Sequence, residues 1–373
     1  MKMKNILSSK ALCAGMIITA CVMPALRAVP PVSSIDAYFR RTDASVYTTT
    51  SSPVYLPSQW SIANNGRLRG FIKATNGLNV AASASVFLDL FEPLAGELRL
   101  GNGSTLNLES DLFLTSSAYL RVGTTTGHTA TLKSAQAATI HLGNDLSIPA
   151  GRTLFVDSPE LTIDGGGFTC SFASSAAALR INSGKTLTLR NMVINGLTGA
   201  DQIKGPGTLK LQNCVVNLPT SDVTWSASWG NVRILVADDV VIRGGGTFVF
   251  GSATSLTVSA NSMLSFDNNT TFSFAPQDKS RTRLYFGDSS SILRLNGSTF
   301  CAPGRGGGTG VALTKGTLIL DNKVTFSNSH NYNTAKAFTF GSGTGSADLA
   351  VRLNAGASIN LDCGIIDYKN VDA

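Results

Sequence analysis

The strongest constraint on this chain is a phrase that it repeats. In Leu146 to Val156 (LSIPAGRTLFV) and Leu179 to Leu189 (LRINSGKTLTL), two apolar residues alternate with polar ones, a Gly sits three residues after the second, and another alternating pair starts three residues beyond it. The pattern apolar-x-apolar-x-x-small-x-x-apolar-x-apolar recurs from Leu78, Leu98, Val232, Leu256 and Val351, giving seven copies. Period-two alternation places alternate side chains on opposite sides of the backbone, so each copy reads as strand, tight turn, strand. Two such strands cannot bury their apolar side against each other alone. They need another copy stacked on them. The connections are too small for a crossover helix, and segments between copies, such as Leu161 to Ile163 and Leu209 to Leu211, are themselves strand-like. Edge-on-edge coiling is the simplest closure, and the predicted fold is an all-β parallel β-helix.

A second phrase, LxLxN, sets the coil length. It occurs at Leu187 to Asn191 and Leu209 to Asn213, 22 residues apart, then at Leu264 to Asn268 (with Phe266 as the second apolar residue) and Leu318 to Asn322, at separations of 55 and 54. One coil of 22 residues and pairs of longer coils fit, or about 11 to 12 coils over residues 71–373. Between Leu98 and Leu142 the short strands recur every seven or eight residues, which suits three strands per coil.

Residues 1–28 read as an export signal: Lys2, Lys4 and Lys10, an apolar stretch from Ala11 to Met23, Pro24, then small residues ending at Ala28. Within it, Ile18-Thr19-Ala20-Cys21 resembles a bacterial lipobox, which would make Cys21 a lipid anchor; alternatively Cys21 is one more small apolar residue of the signal. No other apolar run reaches membrane-spanning length, so no transmembrane segment is expected after signal removal. Residues 29–70 lack the phrase and are rich in proline. They are assigned to an N-terminal cap covering the first coil, with residues 71–373 as the β-helix. At the other end, the last coil is blunted by Asp362, Asp367 and Lys369 or covered by a partner. The formal charge of +7 includes Lys2, Lys4, Lys10 and Arg27, and without them it is +3 with no basic cluster. Nucleic acid is therefore not an expected partner.

Asn191, Asn213, Asn268 and Asn322 share one slot after an alternating strand, where an Asn tolerates the left-handed region and vertical copies can pass hydrogen bonds from coil to coil. Triple glycines at Gly165 to Gly167, Gly244 to Gly246 and Gly306 to Gly308 are read as corners rather than phosphate loops. WSASW (Trp225 to Trp229) and Phe274 to Arg283 are read as loops leaving the coil. Trp225 and Trp229 form the candidate sugar-stacking pair, the alternative being a small packing cluster. Beyond the signal, Cys170, Cys214, Cys301 and Cys363 are separated by 44, 87 and 62 residues, two or more coils each. At about 4.8 Å per coil they are out of disulfide reach, so buried free thiols are expected. His128, His141 and His330 are isolated from them, and no metal or cofactor motif is present.

Phrases such as LTIDGGGFTCSF (from Leu161) and LTLRNMVING (from Leu187) resemble the right-handed parallel β-helices of the pectin-lyase-like superfamily, and the repeat phrase resembles those of bacterial surface and autotransporter-passenger proteins. That superfamily includes polysaccharide lyases, glycoside hydrolases and non-catalytic adhesins, so the resemblance implies fold without function. Of the motifs its polygalacturonases carry, only Asp238-Asp239 is matched. Gly127-His128-Thr129 departs from Gly-His-Gly, and Arg180-Ile181-Asn182 and Arg233-Ile234-Leu235 both lack the lysine. For a lyase-type calcium site, Asp157, Glu160 and Asp164 cluster in sequence and Arg243 takes the place beside its triple glycine that Asp164 takes beside its own. Structural surface charge is the preferred reading of all four. No catalytic residue is assigned.

Two expectations follow. The first is an exported, non-catalytic β-solenoid of the cell surface, periplasm or medium, with an adhesive or envelope-structural role and surface carbohydrate or another envelope protein as partner. The second is a carbohydrate-active enzyme, a polysaccharide lyase or glycoside hydrolase, with Asp238, Asp239 and the Trp225/Trp229 loop beside its groove.

Overall fold

A computed structural model describes residues 45–56, 60–62, 66–74, 76–198, 202–220, 223–225, 232–250, 255–267, 269–274, 284–301, 311–313, 315–327, 336–340, 349–362 and 365–368. The export signal, Asn268, Trp229, His330, Cys363 and the third triple glycine lie outside them.

The turn inside the repeat phrase explains why that phrase needs a small residue. Its sixth residue has φ between 54° and 80° in six of the seven copies, at Ser83, Gly103, Gly151, Gly184, Asn261 and Gly356. A β-branched or bulky residue is strained at such φ, so Gly, Asn and Ser fill the slot. The flanking strands are those expected: Leu146–Ile148 and Thr153–Val156 around Gly151, Ala178–Ile181 and Thr186–Asn195 around Gly184. The Val232 copy differs. It lies within one continuous strand, Arg233–Arg243, where the left-handed residue is Asp238 (φ 63°).

Among the described residues all strand pairings are parallel and join neighbouring coils. The longest path, in a 14-stranded sheet, threads ten strands from Leu112–Phe113 to Leu349–Leu353, and an eight-stranded sheet from Ser45–Leu56 to Ile203–Lys204 flanks it. The described residues contain no helix, and the architecture is a β-solenoid of about 9 turns. The nine steps of this path, from Leu112 to Leu349, average between 26 and 27 residues, the coil length that the paired separations of 55 and 54 imply, and 22 residues is the short extreme. Asn191 to Asn213 spans 22 residues, but Asp164 to Arg190 spans 26 and Asp321 to Asn354 spans 33. Three strands per coil are present where the short spacing predicted them, for example Thr129–Ser134, Ala138–His141 and Leu146–Ile148. Parallel pairing already begins between Ser45–Leu56 and Gly66–Ala74, inside the stretch assigned to the cap.

Alternation inside the long strands breaks at the asparagine slot. In Thr186–Asn195, Leu187 and Leu189 point inward, then Met192 and Ile194, with Asn191 (φ 52°) between them. Thr208–Asn217 repeats this with Leu209 and Leu211, Asn213 (φ 51°), then Cys214 and Val216. A left-handed residue turns the backbone and resets the phase, so one strand serves two sides of the coil. In Arg233–Arg243 two residues, Asp238 and Asp239, oppose the single Asn213. This β-bulge moves the pairing from Gln212↔Ala237 to Cys214↔Val240.

Inside, each coil sets apolar side chains over those of the last. Leu161, Leu187, Leu209, Ile234, Leu256 and Leu284 form one such column, all at most 3% exposed. Toward the C-terminal half the filling becomes aromatic, with Phe248, Phe272, Phe300 and Phe326 in register. Phe266 stacks on Phe272 at 4.3 Å and Phe300 meets it edge-on at 5.2 Å. Cys170, Cys214 and Cys301 are buried free thiols, as expected. Cys170 pairs with Ile194, and Ile194 with Val216, which puts Cys170 and Cys214 two coils apart.

Phe272→Ala should lower stability by about 3–5 kcal/mol, since the aromatic column cannot collapse around the void. A urea-unfolding midpoint unchanged from wild type would contradict the column. A second expectation concerns the thiols. Burial pushes the Cys170 thiol up to about 12 and the Cys214 thiol up to about 11. At pH 8 iodoacetamide should leave both unmodified in the folded chain and alkylate both in guanidinium, read by peptide mass.

Candidate recognition surface

Because coils stack in register, outward side chains also form columns, and two of these columns carry polar networks that run from coil to coil. On the 14-stranded sheet, Phe113, His141, Asp164, Arg190 and Gln212 occupy one column on successive coils. Beyond the next corner, Asn217, Arg243, Asp267, Asn296 and Asp321 occupy another.

Bonds climb these columns from coil to coil. Arg190 donates to Asp164 Oδ2 through Nη2 at 2.7 Å and Nε at 3.1 Å, while Asn191 Nδ2 reaches Asp164 Oδ1 at 3.0 Å. Asn213 Nδ2 donates to Asn191 Oδ1 at 2.9 Å, so the predicted asparagine ladder is present there. Asn322, also left-handed at φ 55°, donates to Asn296 Oδ1 at 2.6 Å. In the second column, Asn217 donates through Nδ2 to Asn195 Oδ1 at 2.8 Å and accepts at Oδ1 from Arg243 Nε at 3.0 Å. Asp321, largely buried, takes a hydrogen bond from Arg294 Nε at 2.5 Å and another from Asn354 Nδ2.

The carboxylates singled out by sequence are distributed rather than convergent. Asp157 lies between Lys133 Nζ at 3.3 Å and Lys185 Nζ at 3.7 Å, on the eight-stranded side. Glu160 is exposed. Asp164 faces the other way, within the Arg190 and Asn191 bonds above. Among the described residues no group of three or more His, Cys, Asp or Glu is placed to hold a metal ion. Arg243 does not share Asp164's column. Asp164 pairs with Arg190, and Arg243 with Asn217, on opposite sides of the asparagine corner. Both precede a triple glycine, but the second triple glycine closes a strand that has already turned that corner. Asp238 and Asp239 are both exposed on the bulge. Asp238 accepts from Gln212 Nε2 at 2.7 Å, and its backbone N–H donates to Ser262 Oγ at 2.9 Å. Trp225 is not in a loop: it ends the strand Val223–Trp225 and pairs with Phe250, in register with the coil. Gly166 (φ 57°) and Gly167 (φ 98°) make the expected corner.

Two features carried no sequence signal. Phe113 and His141 are 28 positions apart in the chain, yet their rings stack at 4.3 Å and 1°. His141 Nδ1 lies 3.8 Å from Asp164 and Nε2 lies 4.0 Å from Asp111. Their alignment depends on the exact length of the intervening coil, which alternation alone does not give. Arg152, only 8% exposed, donates to the carbonyls of Val122 at 3.0 Å and Thr124 at 2.7 Å. It sits in the turn of the repeat phrase, where the sequence shows only a polar residue.

Comparison of the chain with protein-family models, with curated proteins and with solved structures finds no match.

Partial burial pushes the Asp164 carboxyl up, but the hydrogen bonds from Arg190, Asn191 and the Gly166 N–H outweigh it and hold the group below the usual carboxylate range. Asp157 is likewise held low, burial opposing and Lys133 and Asn182 prevailing. A depressed folded value means stability that is present above the unfolded carboxylate range, near about pH 4, and is lost as pH falls through the folded value. Asp164→Asn should therefore be less stable than wild type at pH 7, with the gap closing toward pH 2–3. A gap that stays constant across that window in thermal melts would rule out the linkage.

Proposed function

We propose that the chain is an exported, non-catalytic β-solenoid, a member of the right-handed β-helices akin to the pectin-lyase-like superfamily, whose outer face serves adhesion or envelope structure. One observation carries the reading. Asp157, Asp164, Asp238 and Asp321 are each engaged by a Lys, Arg or Gln of a neighbouring coil, as rungs rather than as a pair facing a common cleft. Glycoside hydrolysis needs two carboxyl groups aimed at one bond, one protonated and one free. A carboxylate held low by an arginine is poorly suited to the acid role.

Support for a binding role comes from the long strands. On three successive coils, outward Val193, Val215 and Val241 form a partly exposed apolar stripe. It is flanked by Asn191, Asn213 and Asp238 at one corner and by Asn195, Asn217 and Arg243 on the other side. An apolar strip bordered by amides suits the face of a sugar ring with its hydroxyls, so surface carbohydrate is the proposed partner. The enzymatic alternative draws on the exposure of Asp238 and Asp239 beside this stripe.

Residues 29–373 incubated with uronate polymers should release neither reducing nor unsaturated ends, and should be retained on immobilised surface polysaccharide with retention reduced at least tenfold by Val215→Asp. Release of such ends would replace this reading with the enzymatic one. For export, the full chain should fractionate with the envelope, and Cys21→Ser should move it to the soluble fraction if Cys21 is the anchor.

A further inference from the structure

Two pairs of cations on this surface are each held together by a carboxylate. Arg99 lies over Arg121, and both engage Glu97, at 2.5 Å and 3.4 Å. Lys133 and Lys185 share Asp157, at 3.3 Å and 3.7 Å. One further pair has no such bridge. Arg180 and Lys204 are in direct register on the eight-stranded side, about 4.8 Å apart along the stack. Among the described residues neither lies within ion-pair distance of a carboxylate, and neither donates a hydrogen bond. Arg180 is exposed and Lys204 half-buried, so both reach solvent.

The surroundings leave the pair uncompensated. Its outward column runs Thr105, Thr131, Phe155, Arg180, Lys204 on successive coils. On one side stand Thr129, Thr153 and Ala178, which carry no charge. On the other stand Lys133, Asp157 and Asn182, and that one carboxylate is already taken by Lys133, Lys185 and the Asn182 amide. Gly205, Pro206 and Gly207 follow Lys204 and add no charge. The Arg180 guanidinium lies over the Phe155 ring, 5.5 Å from Cζ to the ring centroid. That contact holds the guanidinium against the coil through its face, so its N–H edge is positioned and unspent.

We propose that Arg180 and Lys204 form a binding site for a phosphate monoester carried on a surface glycan. Like charges stacked in register destabilise the coil unless an anion comes between them, as Glu97 and Asp157 do for the other two pairs. A carboxylate has two oxygens in one plane and a single charge, which suits one guanidinium fork. A phosphate monoester has three free oxygens and close to two negative charges at neutral pH, so it can accept from both coils at once and balance both cations. The site lies on a different sheet from the valine stripe Val193, Val215 and Val241, and is a second contact with its own chemistry.

Retention of the full chain on phosphocellulose, sulfated cellulose and carboxymethyl cellulose of equal charge density tests this, and does so whether or not the valine stripe binds polysaccharide. At neutral pH phosphocellulose should hold the chain most tightly. Arg180→Gln and Lys204→Gln should each weaken that binding about fivefold, the size of one exposed ion pair. Lys210→Gln, on the 14-stranded sheet, should not. At about pH 5, where the monoester has lost its second charge, the preference for phosphocellulose over sulfated cellulose should disappear. Without polymer, Lys204→Gln should melt no lower than wild type, because the charge it removes has no partner. A lower melting temperature would make the pair structural and overturn the site, as would equal retention on all the matrices or an equal loss in Lys210→Gln. Binding to phosphatidic acid vesicles that exceeds binding to phosphocellulose, and that falls in the same two variants, would put the phosphate on a lipid and overturn the glycan.

Discussion

Parallel in-register stacking governs everything else in this molecule. Each coil hydrogen-bonds to the one before it, so every side chain is placed over its counterpart at about 4.8 Å. Inside, this turns a weakly patterned sequence into continuous columns in which Leu, Ile and Val, then Phe, are almost completely excluded from water. Each fully buried aliphatic side chain contributes roughly 2 kcal/mol. No single coil keeps its own apolar side dry, so the coils are stable only as a stack.

The same geometry decides which residues are tolerated at corners. The chain must turn several times per coil without interrupting the ladder, and the residues that do so are those that accept positive φ: Gly103, Gly151 and Gly184 in one slot, Asn191, Asn213 and Asn322 in another. Asparagine brings more than permissive geometry. Its amide can donate to the copy below, as Asn213 does to Asn191, so the corner is hydrogen-bonded vertically as well as turned.

This is why the fold was legible from sequence and the surface chemistry was not. The repeat phrase reports backbone alternation and a left-handed turn, both local properties, and they survived in six of seven copies. The exception, Val232 to Ile242, keeps the apolar spacing but replaces the turn with the Asp238 bulge, and a pattern that scores only apolar positions does not distinguish the two. Column membership is different, because it depends on the accumulated length of every intervening loop. Asp164 and Arg243 look equivalent beside their triple glycines but lie on different sides of the coil, whereas Phe113 and His141 look unrelated and are stacked. The loop placement of Trp225 differs for a related reason: an aromatic pair that interrupts the pattern reads as an excursion, although Trp225 itself is in register with Phe250.

Stacking also limits what a solenoid surface can do. Like charges placed directly over one another are destabilising, so outward charges settle against opposite charges of a neighbouring coil, in register as Asp164 and Arg190 or diagonally as Arg294 and Asp321, and where Arg99 lies over Arg121 both hold Glu97. Such pairing stabilises the coil and engages these carboxylates with basic neighbours, whereas a glycosidase pair requires two carboxyl groups close together with one of them left proton-bearing. Catalysis on this scaffold would need a place where the ladder is broken on purpose. The bulge at Asp238 and Asp239 is such a break, but its first carboxylate is taken by Gln212 and its backbone by Ser262. A ladder that closes even its own irregularity with hydrogen bonds keeps its shape through the break.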